Sequence, residues 1–289
     1  RAVRGGVRAG KAGVITGAAN GMGLAGANHF ACQGMNVVLA DNSSDALEAA
    51  TDVVSKSAEG KVLPVLTDVS QIDQVEALRD QVLAHFGRID CLMNNAGAVI
   101  RQVSPCEDID EKKKQIDINF WGVVNGCHAF MPSMIENASP SGVINTGSKQ
   151  GITKPPGNFG YNISKSSVIA YTESIAHSLR QKDHRQVSAH LLIPGFTYTN
   201  MIARFVPDKP PAAWTSEHVV DFMIESLGRN DFYILCPDNE TPRELYEQRI
   251  LWSAGDLINN RPALSRWHDD FAADYEQFIQ DSLNDKHLR

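Results

Sequence analysis

The chain lacks what several kinds of protein depend on. No apolar run approaches the ~18 residues that a membrane-spanning helix needs, so no membrane partner is expected. Positive charge is not in excess: 27 Lys and Arg stand against 34 Asp and Glu, a formal net charge of −7. That balance argues against nucleic acid as a partner, because surfaces that bind it are strongly basic. The one basic cluster, Arg1, Arg4, Arg8 and Lys11, has neither an apolar core nor a cleavage site. Residues 1–11 therefore read as a flexible leader and not as a secretory signal. Cysteine is sparse. Cys32, Cys91, Cys106, Cys127 and Cys236 are odd in number, far apart and mostly set in apolar runs. They predict reduced core residues and a cytoplasmic location. The nine histidines show no metal-ligand spacing with Asp, Glu or Cys, so no metal is expected.

What the 289 residues do have is length for a sizeable core and an alternation of short β-rich runs with amphipathic segments. This is the pattern of stacked βαβ units around a parallel sheet. A strand over 12–16 meets Gly17-Ala-Ala-Asn20-Gly21-Met22-Gly23, and a helix follows to about Cys32. Glycines between a strand and a helix let the backbone turn sharply beside a pyrophosphate, which then sits on the positive end of the helix. A second strand over 36–40 ends in Asp41, placed to accept hydrogen bonds from an adenosine ribose. Its alternative is a surface acid capping the next helix through residues 42–44. A third strand over 61–67 ends in Asp68-Val69, where the acid can meet an adenine edge. Residues 70–73 look like a capping box, and Ile72, Val75, Leu78, Val82 and Phe86 form the apolar side of a helix that stops at Gly87. A fourth strand over 91–93 runs into Asn94-Asn95-Ala96-Gly97. Lys112, Lys113 and Lys114 read as a solvated face.

Tyr161 and Lys165 are four residues apart, so on a helix they share one face. A phenol titrates near ~10 and is a poor base at neutral pH. An ammonium group held close lowers that value, which would make the tyrosine a general acid and base. Ser148, thirteen residues earlier and just past a fifth strand over 143–146, can hydrogen-bond the same substrate oxygen.

Together, Thr16-Gly-x-x-x-Gly-x-Gly23, Asn94-Asn-Ala-Gly97 and Tyr161-x-x-x-Lys165 resemble the classical short-chain dehydrogenase/reductase family over about residues 10–237. The resemblance implies a doubly wound Rossmann fold, α/β, with a seven-stranded parallel sheet at 12–237 and a helical extension at 238–289. It implies that Gly17, Asn20, Gly21, Met22 and Gly23 shape a pyrophosphate loop. Asn95, Ala96 and Gly97 would lie beside the cofactor, as would Pro194, Gly195, Thr197 and Thr199 after a sixth strand over 187–193. Asn119 matches a helix-kinking asparagine of the proton relay, Ser148 the substrate-orienting serine, Tyr161 the catalytic acid and base, and Lys165 the lysine that also holds the nicotinamide ribose. Lys149, charged and next to Ser148, departs from the family pattern.

The remainder bears on substrate. Residues 196–214 carry Met201, Phe205, Val206 and Trp214 between prolines and read as a lid over a hydrophobic pocket, or as residues packed onto the domain. Beyond a seventh strand over 232–236, Tyr246, Ile250, Ala254 and Ile258 recur at helical spacing, and Trp267, Phe271, Tyr275 and Phe278 form an aromatic stripe expected to be buried against the parent domain or a neighbouring subunit. Such an extension is loosely similar to bacterial Cα-type dehydrogenases of lignin-derived aryl alcohols. The expected activity is NAD-linked interconversion of a secondary alcohol and a ketone, NADP being disfavoured by Asp41. The expected assembly is a homodimer or homotetramer built on the helices with Asn119 and Tyr161. A silent dinucleotide sensor of the same fold and a double-bond reductase are the alternatives.

Overall fold

Apolar side chains alternate along the strands, and that alternation builds two cores at once. The structure is a computed structural model and describes residues 7–100, 106, 108–137, 139–184 and 186–287. Seven strands, β1 (Ala12–Thr16), β2 (Asn36–Asp41), β3 (Val62–Leu66), β4 (Cys91–Asn94), β5 (Ser141–Thr146), β6 (Val187–Ile193) and β7 (Tyr233–Leu235), form one sheet. Their order is β3-β2-β1-β4-β5-β6-β7, and every pairing is parallel. Val14, Val38, Leu92, Val143 and Leu191 enter one core; Ile15, Leu39, Met93, Ile144 and Leu192 enter the other. Neighbouring strand residues point to opposite faces, so a sheet covered on both sides needs apolar residues at successive positions.

The helices are α1 (Gly21–Cys32), α2 (Ser44–Ser57), α3 (Ile72–Phe86), α4 (Ile109–Ile116), α5 (Gly122–Glu136) and α6 (Gln150–Thr153). They continue with α7 (Phe159–Gln181), α8 (Asn200–Ala203), α9 (Ser216–Arg229), α10 (Arg243–Asn259) and α11 (Ala272–His287). α1, α2 and α9 cover one face through Phe30, Leu47, Val54, Val219 and Met223. α3, α5 and α7 cover the other through Val75, Leu78, Phe130 and Val168. This is the expected doubly wound arrangement. No helix among the described residues is long and apolar enough to cross a membrane.

Several local expectations are corrected. The capping box at 70–73 does not form: α3 starts after Gln71, and the Ser70 hydroxyl donates to Asp68 at 2.8 Å instead. Ile72 is consequently exposed, while Val75, Leu78 and Val82 are buried. Gly87 ends α3 with φ +66°, a left-handed cap that suits glycine. β3 is shorter than expected and holds Pro64, which is tolerated because this strand is the sheet's edge. Lys112 is buried, unlike Lys113 and Lys114. Residues 7–11 are tied to the body, with Gly10 N–H donating to Gly34 O at 2.8 Å and Lys11 paired with Asp90 at 3.3 Å. Arg1 and Arg4 lie outside the described residues.

The extension departs most. Tyr246 is buried, but Ala254 and Ile258 face solvent, Ile258 at 79% exposure. Beyond its second turn α10 packs on the short turns after it and on α11, so its inner side shifts to Trp252 and Asp256. Trp252 is the buried centre of this unit, with the rings of Tyr275 at 5.4 Å and Phe278 at 5.3 Å and the Arg261 guanidinium 3.9 Å above it. Tyr275, Phe278 and Phe271 are only half-buried, and Trp267 is 42% exposed. Within one chain, Tyr275 and Phe278 clothe Trp252 while the stripe keeps part of its surface outward, where a neighbouring subunit is the other cover expected for it.

One buried charge anchors the start of the sheet. The Asp90 carboxylate accepts from the Ala12 amide at 3.0 Å and from two Arg88 nitrogens at 2.7 and 2.6 Å. Burial would raise its pKa, yet Arg88, the Ala12 amide and Lys11 outweigh burial and hold it below the usual carboxylate range. Removing one partner of a buried pair costs about 3–5 kcal/mol, and Arg88 and Lys11 keep some water contact, so Asp90→Ala should cost about 2–3 kcal/mol in urea unfolding. A carboxylate depressed in the folded state stabilises above its unfolded pKa of ~3.9 and loses that contribution as pH falls. The gap between wild type and variant should therefore be full at neutral pH and shrink below about pH 4.

Candidate active site

The strand ends at the carboxyl edge of the sheet build a narrow turn. Gly17 has φ +63°, and a Cβ placed there would lie 2.7 Å from Ala96 Cα. A Cβ at Gly23 would lie 2.1 Å from Gly17 O. Only bare backbone fits at these two positions. The Thr16 hydroxyl accepts from the amides of Asn95 at 3.0 Å and Ala96 at 3.1 Å. Asn95 Nδ2 donates back to Thr16 O at 3.1 Å. The Asn94–Gly97 turn and the glycine turn are thus stapled together. α1 then opens without a side-chain cap and without an acid in its first turn. Its amides and positive dipole end are chemically matched to a pyrophosphate, so the residues present fit a dinucleotide.

Asp41 ends β2. One carboxylate oxygen accepts from the Ala19 amide at 3.0 Å, the other from the Ser43 amide at 3.1 Å. The second bond is the cap-type contact of the alternative reading; the first ties the acid to the glycine turn. A carboxylate has about four acceptor positions, so ribose hydroxyls still have lone pairs to meet. Asp68 is engaged by the Ser70 amide and hydroxyl at 2.9 and 2.8 Å. Val69 is buried against Gly122, and its carbonyl accepts from Asn125 at 2.9 Å, which fixes the start of α5.

The segment after β6 folds back over the glycine turn. Asn200 Nδ2 donates to Asn20 Oδ1 at 2.6 Å, and the Thr199 methyl is the closest neighbour of a Cβ at Gly21, at 3.2 Å. Thr197 is buried and donates to Gly195 O at 3.3 Å. Met22 and Met201 are half-buried, whereas Phe205 is 60% exposed. Trp214 packs on Phe222 of α9 at 5.9 Å, which for this residue matches the reading of packing onto the domain.

Ser148 follows β5, and α7 carries Tyr161 and Lys165. The Ser148 hydroxyl bonds the Tyr161 phenol and accepts from the Gln150 amide at 3.1 Å. Lys165 is buried, and its ammonium donates to Thr146 O at 2.7 Å. It lies 5.8 Å from the Tyr161 ring centre. Asn119 sits in a π-helical turn, Asp117–Trp121. Its amide oxygen accepts from Ala98 N–H at 2.7 Å, and its Nδ2 donates to Ala98 O at 2.9 Å and Ser164 Oγ at 3.3 Å. A Cβ at Gly97 would lie 3.3 Å from Asn119 Oδ1 and 3.8 Å from Lys165 Nζ, so the three converge. The Asn119 side chain is thus committed to positioning Ala98 and α7.

Electrostatics correct one expectation. Burial pushes the Lys165 ammonium down to about 8. Burial also pushes the Tyr161 phenol up, with the Ser148 hydrogen bond opposing it. Lys165 was expected to lower the phenol, but its charge is directed at the Thr146 carbonyl and desolvation dominates both groups. The sequence reading missed Thr16, Ala98 and Ser164 as binding partners, and missed the partners of Lys149, whose ammonium pairs with Asp238 at 3.1 Å. A threonine ahead of the glycine turn was a usable signal; a partner 89 residues away was not.

The comparisons with known proteins agree with this geometry. The family model for short chain dehydrogenase matches residues 11–210. The 1-deoxy-11-beta-hydroxypentalenate dehydrogenase of Streptomyces exfoliatus is 32% identical over 89% of this chain and 94% of its own length. The 3beta-hydroxysteroid dehydrogenase 1 of Eggerthella lenta is 32% identical over 73% of this chain and 79% of its own. A short chain dehydrogenase/reductase from Burkholderia phymatum, solved with NAD, superposes with a TM-score of 0.78 at 28% identity, covering 88% of this chain and 96% of that one. Solved relatives bind NAD in some cases and NADP in others. With the stapled glycine turn and the Ser148, Tyr161 and Lys165 cluster in place, these matches show that the chain belongs to the short-chain dehydrogenase family of nicotinamide-dinucleotide oxidoreductases.

Proposed function

We propose that the protein interconverts a secondary alcohol and a ketone on a hydrophobic substrate, with NAD as the preferred nucleotide. The observation that carries this reading is the meeting of Ser148, Tyr161 and Lys165 beside a glycine turn with room only for backbone. Two hydroxyls that bond each other can share a third oxygen, and a substrate hydroxyl or carbonyl is such a partner. The bound nicotinamide supplies the hydride acceptor or donor. The protein's own part is the proton. Tyr161 Oη takes it from the substrate hydroxyl in oxidation and returns it in reduction. Ser148 orients the oxygen, Lys165 holds positive charge beside the ribose position, and Asn119 keeps Ala98 and α7 in register.

Gly17, Gly21 and Gly23, with Asn20 and Met22, would hold the pyrophosphate. Asp41 would meet the adenosine ribose, and Asp68 and Val69 the adenine. Asn95, Ala96, Gly97, Pro194, Gly195, Thr197 and Thr199 would line the nicotinamide half. Segment 196–214 is proposed as a lid whose Met201 and Phe205 meet an apolar substrate; exposed Phe196, Phe205 and Val206 support this. So do two relatives named for hydroxypentalenate and hydroxysteroid. Exposed Ile109, Trp121 and Ile163, at 61%, 49% and 52%, lie on or between the helices of the proposed homodimer or homotetramer surface.

The first test is nucleotide absorbance with 1-phenylethanol, a 3β-hydroxysteroid and cyclohexanol. Binding of NAD with no turnover of any secondary alcohol would favour a dinucleotide sensor. Tyr161→Phe keeps the ring and removes the titrating group; general acid and base help is worth on the order of 10²–10⁴ in rate, so turnover should collapse while NAD binding survives. Because the phenol titrates above its ordinary value, alcohol oxidation should rise with pH through the alkaline range and ketone reduction should fall. A flat oxidation profile would contradict the role given to Tyr161.

Cofactor preference rests on Asp41, since residues 42–44 offer no cation. A 2′-phosphate at ~4 Å from a carboxylate costs roughly 4 kcal/mol per charge at an effective dielectric of ~20. Screening reduces this to about 1.5–3 kcal/mol, or on the order of 10–150-fold for NAD over NADP. Asp41→Ala should bring the two nucleotides towards parity, measured as the ratio of kcat/KM. Equal use of both by the wild type would mean that the acid serves only its backbone contacts.

A further inference from the structure

The residue after Ser148 is charged and buried. The Lys149 ammonium pairs with Asp238 Oδ2 at 3.1 Å, with 11% and 7% of the two side chains exposed. It also stands 4.3 Å from the centre of the Tyr246 ring. The Lys149 backbone is held at both ends: its N–H donates to Pro194 O at 3.3 Å, and its carbonyl accepts the Tyr246 hydroxyl at 3.1 Å. Asp238 reaches further. The same Oδ2 accepts from the Phe196 amide at 3.1 Å, and Oδ1 accepts from the Thr241 amide at 2.8 Å. A Cβ at Gly195 would lie 2.7 Å from Lys149 Nζ and 2.8 Å from Asp238 Oδ2, so the loop passes with no spare room. Burial favours the neutral form of both partners, yet the Phe196 amide and Lys149 hold Asp238 below the usual carboxylate range.

We infer that the Lys149–Asp238 pair, covered by Tyr246, is a positioning device that sets Ser148 and the start of the 196–214 segment together. It makes the C-terminal extension a working part of the active site. One ion pair joins three separate stretches: the turn carrying Ser148, the loop from Pro194 to Thr197, and the first residues of the extension. A buried ion pair is weak evidence for stability, since apolar residues can fill the same space at equal or lower free energy. Its use lies in direction, because a charge satisfied at one place fixes the backbone on either side. Lys149 does not touch the reacting atoms; it acts through Ser148. This inference rests on the reading of Ser148 as the residue that orients the substrate oxygen.

The test compares Lys149→Met, Asp238→Asn and the double variant in the full-length enzyme, using 1-phenylethanol or the 3β-hydroxysteroid, whichever is turned over. Small displacements of a catalytic group cost on the order of 10–100-fold, so each single variant should lose about that much kcat. NAD affinity, measured by calorimetry, should fall by a smaller factor than kcat, since the pair also braces the Pro194–Thr197 loop. The double variant should lose no more than the worse single one, as expected of residues acting as a unit. Arg261→Ala, which removes the guanidinium over Trp252, is the control for a role in stability alone: its Tm should fall and its kcat should hold. If Lys149→Met and Asp238→Asn lower Tm but leave kcat at the wild-type value, the positioning role is overturned. Ser148→Ala separates the two ideas. Loss of turnover there with full turnover in Lys149→Met refutes the pair's role alone, and unchanged turnover in Ser148→Ala removes the foundation of both.

Discussion

In a parallel sheet every strand delivers its carboxyl end to the same edge, and the ladder of hydrogen bonds fixes how far each one reaches. Here Thr16 pairs with Ala40, Asn94 with Asn145, and Thr146 with Leu192. Gly17, Asp41, Asn95, Ser148 and Pro194 therefore leave the sheet near one another although they span most of the chain. The whole site depends on that register. A slip of one residue in any strand would exchange its two faces and send Val14 or Ile15 into the wrong core. It would also move Thr146 away from Lys165, whose ammonium donates to the carbonyl of this last residue of β5.

Polar residues inside the domain reinforce the same register. Asn94 Nδ2 donates to Asn145 Oδ1 at 2.9 Å, and Asn145 Nδ2 donates to Thr172 at 3.1 Å. Cys127 lies against both asparagines, and burial pushes its thiol up to about 12, so it stays neutral. The chain of contacts runs from β4 through β5 to α7 and touches α5. Gly126 belongs to it, since a Cβ there would lie 2.1 Å from Asn94 Oδ1. Such a network constrains the helices packed on it, although Asn94 Oδ1 has no hydrogen-bond partner among the described residues. The network therefore allows α5 and α7 only a few ways to sit on the sheet, and α7 carries Tyr161 and Lys165.

What the sequence made legible was local. Strand alternation, the glycine spacing, Asp41, and the pairing of Tyr161 with Lys165 are all short-range patterns, and each lies in the expected element. The misreadings have separate physical causes. Ser70 capped nothing because Asp68, two residues away, offered a closer partner. Ala254 and Ile258 kept their helical spacing, but the core surface that Tyr246 and Ile250 meet does not continue under them. Lys149 looked anomalous because its partner, Asp238, is distant in sequence and near only after folding. Periodicity shows which side of an element is apolar; it does not show where the neighbouring element stops.

The protonation of Tyr161 and Lys165 follows from burial more than from the pair's own attraction. If ammonium–phenolate attraction dominated, Lys165 would titrate above its ordinary value and Tyr161 below. Both shift the other way. At neutral pH the lysine is charged and the phenol neutral, a resting state ready to give a proton. Taking a proton requires the phenol to ionise first, at about 1.4 kcal/mol for each unit between its pKa and the solution pH. The hydrogen bond from Ser148 pulls towards ionisation, because it stabilises the charged form. In the proposed mechanism Ser148 would thus have two tasks, orienting the substrate oxygen and easing Tyr161 towards the base form. Both tasks depend on a hydrogen bond that weakens steeply with misalignment. That is a physical reason for bracing the next residue with a buried ion pair.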